Sequence, residues 1–138
     1  MAKEEIGKFG RVYRQFYHNP KAAIKWLKKV KSGECIAALH RDDIGDIDIV
    51  WGKVTDPVKH TGLGLSHIID KHGKTIKQLG FEVEDFIPIV VQFGNFDKKR
   101  SDSNKKVFAS KGFRFVVAIQ SDTKQWLLTA FDITKKPK

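Results

Sequence analysis

Cysteine is nearly absent from this 138-residue chain, with Cys35 the only one. Its solitude excludes an intramolecular disulfide and any zinc site built on cysteines. Cys35 lies in "ECIAAL", among apolar neighbours and with no basic partner nearby, so it reads as a buried structural thiol rather than a nucleophile. No apolar run approaches the length of a transmembrane helix. The start, "MAKEEIGKFG", lacks a hydrophobic signal region, so export would depend on another segment or another machine. Internal repeats, a P-loop, a dinucleotide glycine motif and a Ser-His-Asp signature are all missing. Ser66 in "GLGLSHI" is not a nucleophile elbow, because the flanking G-x-S-x-G is incomplete. Acidic residues are scarce too, 16 against 26 Lys and Arg, which leaves a formal net charge of +10. Such an excess points to a polyanionic partner, and nucleic acid fits better than a membrane because no long basic amphipathic helix stands out.

What is present suits one packed domain over residues 1–138, with frayed ends at about 1–7 and 135–138. "NPKAAIKWLKKVKSG" predicts a helix: Asn19 caps it, Pro20 fits the first turn, Gly33 stops it, and Ala23, Ile24, Leu27 and Val30 form one face. The preceding "KFGRVYRQFYH" reads as a short helix or an irregular lead-in. "ECIAALH" and "GDIDIVWG" predict a hairpin about the turn "RDDIGD", and "KVTDPVKHTGLG" a loop. The cluster Asp42, Asp43, Asp46 and Asp48 lacks the spacing of a calcium loop and reads as turn chemistry plus a polar strand face. A second helix carries Leu65, Ile68, Ile69 and His72 on one stripe and ends at Gly73. "FEVEDFIPIVVQFGN" fits a helix capped by Asp85 and closed by Gly94, or a strand, and the helix is preferred. Three strands with turns at "SKG" and "SDTKQ" end the chain. Together these predict an α+β fold, N-terminal helices packed on an antiparallel sheet.

The candidate chemistry centres on His67 and His72. Five residues place them about 140° apart around a helix, so they do not share a face, and the i, i+4 spacing of a helical zinc pair is lacking. No metal site and no cofactor are expected. On the helical wheel His72 falls on the apolar stripe and His67 on the flank, which favours His67 for direct chemistry. Two imidazoles suit RNA cleavage without a metal. One takes the proton of a ribose 2′-hydroxyl as its oxygen attacks the neighbouring phosphate; the other protonates the leaving 5′-oxygen. Lys111, Arg114 and Thr129 are candidates for holding the phosphate. Lys71 and Lys74, in the basic run "KHGKTIK", could track a phosphate backbone, and Trp126 is either core or a base-stacking platform.

The ordered set "IGDIDIVWG", "GLSHIIDKHG", "KGFRFVVAI" and "WLLTAFD" resembles the nuclease domain associated with phage polyvalent proteins, in the barnase–EndoU–colicin–RelE-like superfamily. The resemblance spans about residues 9–134. It implies a small α+β nuclease, a metal-independent endoribonuclease acting on tRNA. It also implies a toxin that works in the bacterial cytoplasm, delivered as an effector or borne by phage, with a cognate immunity or inhibitor protein. By this resemblance the H-x4-H pair corresponds to His67 and His72, the basic strand residue to Lys111 or Arg114, and the strand threonine to Thr129. Phe131 departs from the pattern, standing where relatives carry tyrosine. The rival expectation is a non-enzymatic module of the same fold that binds nucleic acid or protein.

Overall fold

The computed structural model describes residues 5–7, 9–56, 61–110, 112–121 and 124–132. Helix α1 (Pro20–Val30) begins as its sequence dictates. The Asn19 side chain accepts a hydrogen bond from the Ala22 backbone N–H, and Pro20 occupies the first turn, where no N–H is needed. Ala23, Ile24 and Leu27 are fully buried. The helix stops at Lys31, which adopts a left-handed φ of 56° and donates its N–H to the Leu27 carbonyl. Gly33 therefore has another task. Its φ is +95°, and a Cβ there would come within 2.6 Å of the Arg11 carbonyl, so only glycine lets the two backbones meet.

That close approach belongs to a strand. Strand β1 (Ile6–Gly7) pairs antiparallel with β2 (Gly10–Tyr13), which runs parallel to β3 (Glu34–Arg41). The expected helix or lead-in over "KFGRVYRQFYH" is thus a strand followed by a turn. Val12 and Tyr13 gain a ladder partner in β3, and pairing overrides the helical spacing of their neighbours. Ile6–Gly7, expected to fray, is part of the ladder. The predicted hairpin forms between β3 and β4 (Gly45–Val50), with Leu39 opposite Ile47 and His40 opposite Asp46. A bulge interrupts β3, where buried Ala37 takes a left-handed φ of 53°. Its N–H donates to the Asp48 carboxylate at 2.7 Å, which holds the strained backbone. The segment expected as a loop holds two short strands, β5 (Lys53–Asp56) and β6 (Thr61–Leu63), paired with each other.

Helix α2 (Gly64–Gln78) passes through Gly73 instead of ending there. Its start is locked against β4. Gly64 has φ +77°, a Cβ would lie 2.8 Å from the Val50 carbonyl, and the Ser66 N–H donates to the Trp51 carbonyl at 2.8 Å. That bond satisfies a donor that no side chain caps. Helix α3 (Val83–Phe93) settles the ambiguous segment. Asp85 lies in its first turn rather than at the cap, Pro88 stands inside it, and Gly94 closes it. The freed carbonyls at its end are not wasted, since Arg41 donates to the oxygens of Val91 and Gly94.

Strands β7 (Asn95–Phe96), β8 (Lys105–Ala109), β9 (Phe113–Ser121) and β10 (Lys124–Asp132) complete an eight-stranded sheet in the order β1-β2-β3-β4-β10-β9-β8-β7. Among the described residues this makes three helices and a mostly antiparallel sheet, an α+β fold. Two departures correct the expected layout. Two strands precede the first helix, and the β2–β3 and β4–β10 contacts are parallel. The β4–β10 seam consists of one register pair, Trp126 with Asp48. Beside it the Lys124 ammonium bonds to the carboxylates of Asp48, at 2.6 Å, and Glu34. Burial works against the Lys124 charge, but these two bonds carry its pKa above the usual lysine value. Buried residues of all three helices and of both sheet halves form one hydrophobic cluster. No described helix is long and apolar enough to cross a membrane.

Candidate active site

The N-terminal turn of α2 is buried all round. Gly64, Leu65, Ser66, His67 and Ile68 are buried in succession, because the helix enters beside the end of β4 and packs chiefly on β10. His67, expected on an exposed flank, is only 8% exposed, and His72, expected on the core stripe, is half-buried. Nor does the angular separation keep them apart. Their rings meet edge to face with centroids 6.1 Å apart. Helical side chains lean back towards the N-terminus, so the His72 ring reaches over the turn that carries His67.

Strands β9 and β10 bring the other candidates to this pair. In their register Phe131 faces Arg114 and Thr129 faces Val116, so Arg114, Thr129 and Phe131 share one face of the sheet. The opposite face points Phe115, Val117, Leu127 and Ala130 into the core, as the alternation in "GFRFVVAI" predicts. The His72 ring stacks on Phe131 at 5.0 Å, and the Arg114 guanidinium lies 6.0 Å from the same ring. Phe131 is therefore the link that joins helix to sheet. Three polar atoms here, Ser66 Oγ, Arg114 Nε and Thr129 Oγ1, are buried without a hydrogen-bond partner among the described residues. Each such group costs about 1–3 kcal/mol, so a site that retains three has polar atoms available to something other than the fold.

The remaining candidates are dispersed. Lys71 and Lys74 are exposed, one turn apart on the outer side of α2. Trp126 shares the strand face of Thr129, but it is buried and its ring meets Phe9 edge-on at 4.9 Å. Lys111 lies outside the described residues. Cys35 is fully buried, and desolvation, reinforced by Asp48 and Glu34, pushes its thiol up to about 12, as befits an inert residue.

Sequence reasoning missed Ser66 as part of the site; only its place beside His67 could have suggested it. It also missed a second cluster, in which His18 and His40 both contact the Asp46 carboxylate at 2.7 Å. Cavities of about 370 and 430 Å³ border that cluster, the first lined by Asp46 and the second by His40, and neither is lined by His67 or His72.

A helix bearing two imidazoles with centroids 6.1 Å apart, set against a strand pair that offers an arginine and a threonine, gathers proton-transferring and anion-contacting groups in one α+β protein. Residues 38–137 match the model of the family described as phage-Barnase-EndoU-ColicinE5/D-RelE like nuclease1, and the chain belongs to that family. The match takes in α2, α3, β4, the C-terminal strands and the second half of β3, and leaves α1, the first two strands and the first half of β3 outside. No curated protein and no solved structure matches the chain.

Proposed function

We propose that this nuclease-family domain is a metal-independent RNA endonuclease, with tRNA as its substrate. The observation that carries the reading is the set of buried atoms of Ser66, Arg114 and Thr129 without a hydrogen-bond partner among the described residues, on the helix of the His67–His72 pair and on the strand face of Phe131, which stacks on His72. One imidazole takes the proton from the ribose 2′-hydroxyl, whose oxygen attacks the adjacent phosphorus. The other protonates the departing 5′-oxygen, leaving a cyclic phosphate and a free hydroxyl. The guanidinium of Arg114 and the hydroxyl of Thr129 receive the charge that builds on the phosphate oxygens. Lys71, Lys74 and Lys111 hold flanking phosphates, and the net charge of +10 draws RNA in. Phe131 has no hydroxyl to offer the phosphate; its ring instead fixes the plane of His72. In the cell the domain acts as a toxin on cytoplasmic RNA, and an inhibitor protein restrains it in the bacterium that makes it.

Purified protein incubated with total tRNA and EDTA should produce discrete fragments ending in a cyclic phosphate. His67→Ala and His72→Ala should each slow cleavage by about 10²–10⁴-fold, with folding verified by circular dichroism. Single-stranded DNA should survive, because it lacks the attacking hydroxyl. Cleavage that appears only on adding a metal would overturn the mechanism. RNA binding without any cleavage by the wild type would favour the non-enzymatic module.

A further inference from the structure

Three separate segments place donor atoms around one point at the opposite end of β4 from α2. His18 comes from the turn after β2, His40 from the end of β3 and Asp46 from the start of β4. His18 Nε2 and His40 Nδ1 each lie 2.7 Å from the same oxygen, Asp46 Oδ1, and all three donor atoms fall within 4.8 Å of one another. Each side chain is exposed enough to meet an ion from solvent. A shallow depression of about 230 Å³, lined in part by His18, His40 and Gln92, gives access.

The rings are held rather than loose. His18 stacks on Tyr17 with centroids 3.8 Å apart and planes 16° apart. Its own backbone has a left-handed φ of 52°, and its N–H donates to the carbonyl of Ala37, the strained residue in β3. His40 presents Nδ1 to Asp46 while Nε2 contacts the Asp42 carboxylate at 3.3 Å. An imidazole with one nitrogen directed at a shared point and the other donating to a carboxylate is the arrangement that orients metal-binding histidines. Exposed histidine–carboxylate pairs add little stability, so the left-handed backbone of His18, in a pair worth so little to the fold, fits a residue positioned for binding.

From this geometry we propose a binding site for a divalent transition-metal ion of the zinc class, held by His18 Nε2, His40 Nδ1 and Asp46 Oδ1. Two imidazoles and one carboxylate suit zinc and its neighbours rather than magnesium or calcium, which prefer oxygen ligands. Ligands at about 2.0–2.1 Å in a tetrahedron stand about 3.3 Å apart, so the two 2.7 Å contacts need to open by less than an ångström and the two ring nitrogens, now within 4.8 Å of each other, to settle at the same spacing to admit the ion. Three protein ligands leave a fourth position for water. The ion ties the turn that bears His18 to the β3–β4 hairpin. His18 lies before the segment matched to the nuclease family, whereas His40 and Asp46 lie within it, so the site bridges the two. It is independent of the RNA-cleavage reading.

Titration calorimetry of the metal-stripped protein with zinc chloride near pH 8 should show one site. Cobalt(II) should give the visible absorption of a low-coordinate nitrogen and oxygen site, and excess magnesium should displace neither ion. His18→Ala and His40→Ala should each abolish stoichiometric binding, and Asp42→Asn should weaken it about 10–100-fold. The His67→Ala/His72→Ala double variant should bind zinc as the wild type does. The proposal is overturned if the wild type takes up no stoichiometric zinc. It is equally overturned if binding survives both His18→Ala and His40→Ala, or is lost in the His67→Ala/His72→Ala variant while those two retain it.

Discussion

Gly73 stands in the interior of α2, and a methyl group built on it meets nothing closer than Ile69 Cγ2 at 3.6 Å. Glycine within a helix costs roughly 0.5–1 kcal/mol against alanine. Gly73→Ala should therefore raise stability by about that amount in urea unfolding, and a loss of stability would contradict the helical geometry around it. The same residue marks where local reading fails. A glycine at the end of an apolar stripe resembles a stop, yet α2 continues because Ile76, one turn further, is fully buried. Burial of His67 was equally illegible. A helical wheel assumes one buried face, whereas residues 64–68 are buried in succession, in a helix that packs on β10 and also meets β4, β5, β6 and α3. His67, His72, Arg114 and Thr129 could be named as candidates from the sequence, because their residue types and strand phase are local. What could not be read was Phe131 as their connector, since that depends on the packing of α2 against β10.

At the scale of elements, buried or half-buried ion pairs join pieces distant in sequence. The Lys28 ammonium of α1 contacts the Glu84 carboxylate of α3 at 2.9 Å. Burial tends to raise the pKa of Glu84, but the hydrogen bond from Lys28, with its own backbone N–H, holds the carboxyl below its ordinary 4.5. A depressed carboxyl pKa contributes stability that is present above 4.5 and is lost as pH falls through the lower folded value. Glu84→Gln should accordingly flatten the acid limb of a stability–pH curve while leaving its slope above pH 6 unchanged; an unaltered acid limb would argue against the pair. Lys124 is the stronger case, because it serves two buried carboxylates at once. Its removal strands both, and Lys124→Ala should cost about 3–5 kcal/mol in denaturant unfolding. A cost below about 1 kcal/mol would mean that the two carboxylates are solvated or protonated in the native state. Helix α1 and the β3–β4 hairpin were legible because their signals lie within a few residues: Asn19 and Pro20 at the helix start, alternation in "GDIDIV" for the strand. Strands β1, β2, β5 and β6 were not, since each is four residues or fewer and is defined by its partner.

For the whole molecule the net charge of +10 makes the proposed RNA binding testable through its dependence on salt. If Lys71, Lys74, Lys111 and Arg114 each neutralise one phosphate, log K for a single-stranded RNA should fall with log salt at a slope of about −3. His67→Ala, proposed above to slow cleavage, should allow this to be measured near equilibrium, and a slope near zero would remove the electrostatic part of the binding model. The α+β class was readable from the order of periodicities along the chain, but the strand order was not, because it depends on one long-range contact.

That contact has a kinetic meaning. Trp126 and Asp48 are 78 residues apart in the chain, whereas the β3–β4 and β9–β10 pairings each join strands that are near neighbours in sequence. Hairpins close cheaply and early; joining segments so far apart loses much more chain entropy and offers a single rung in return. The two half-sheets should thus be largely formed when the rate-limiting barrier is crossed, with the seam still open. Lys124, which clasps that seam, then governs how fast the native chain comes apart far more than how fast it assembles.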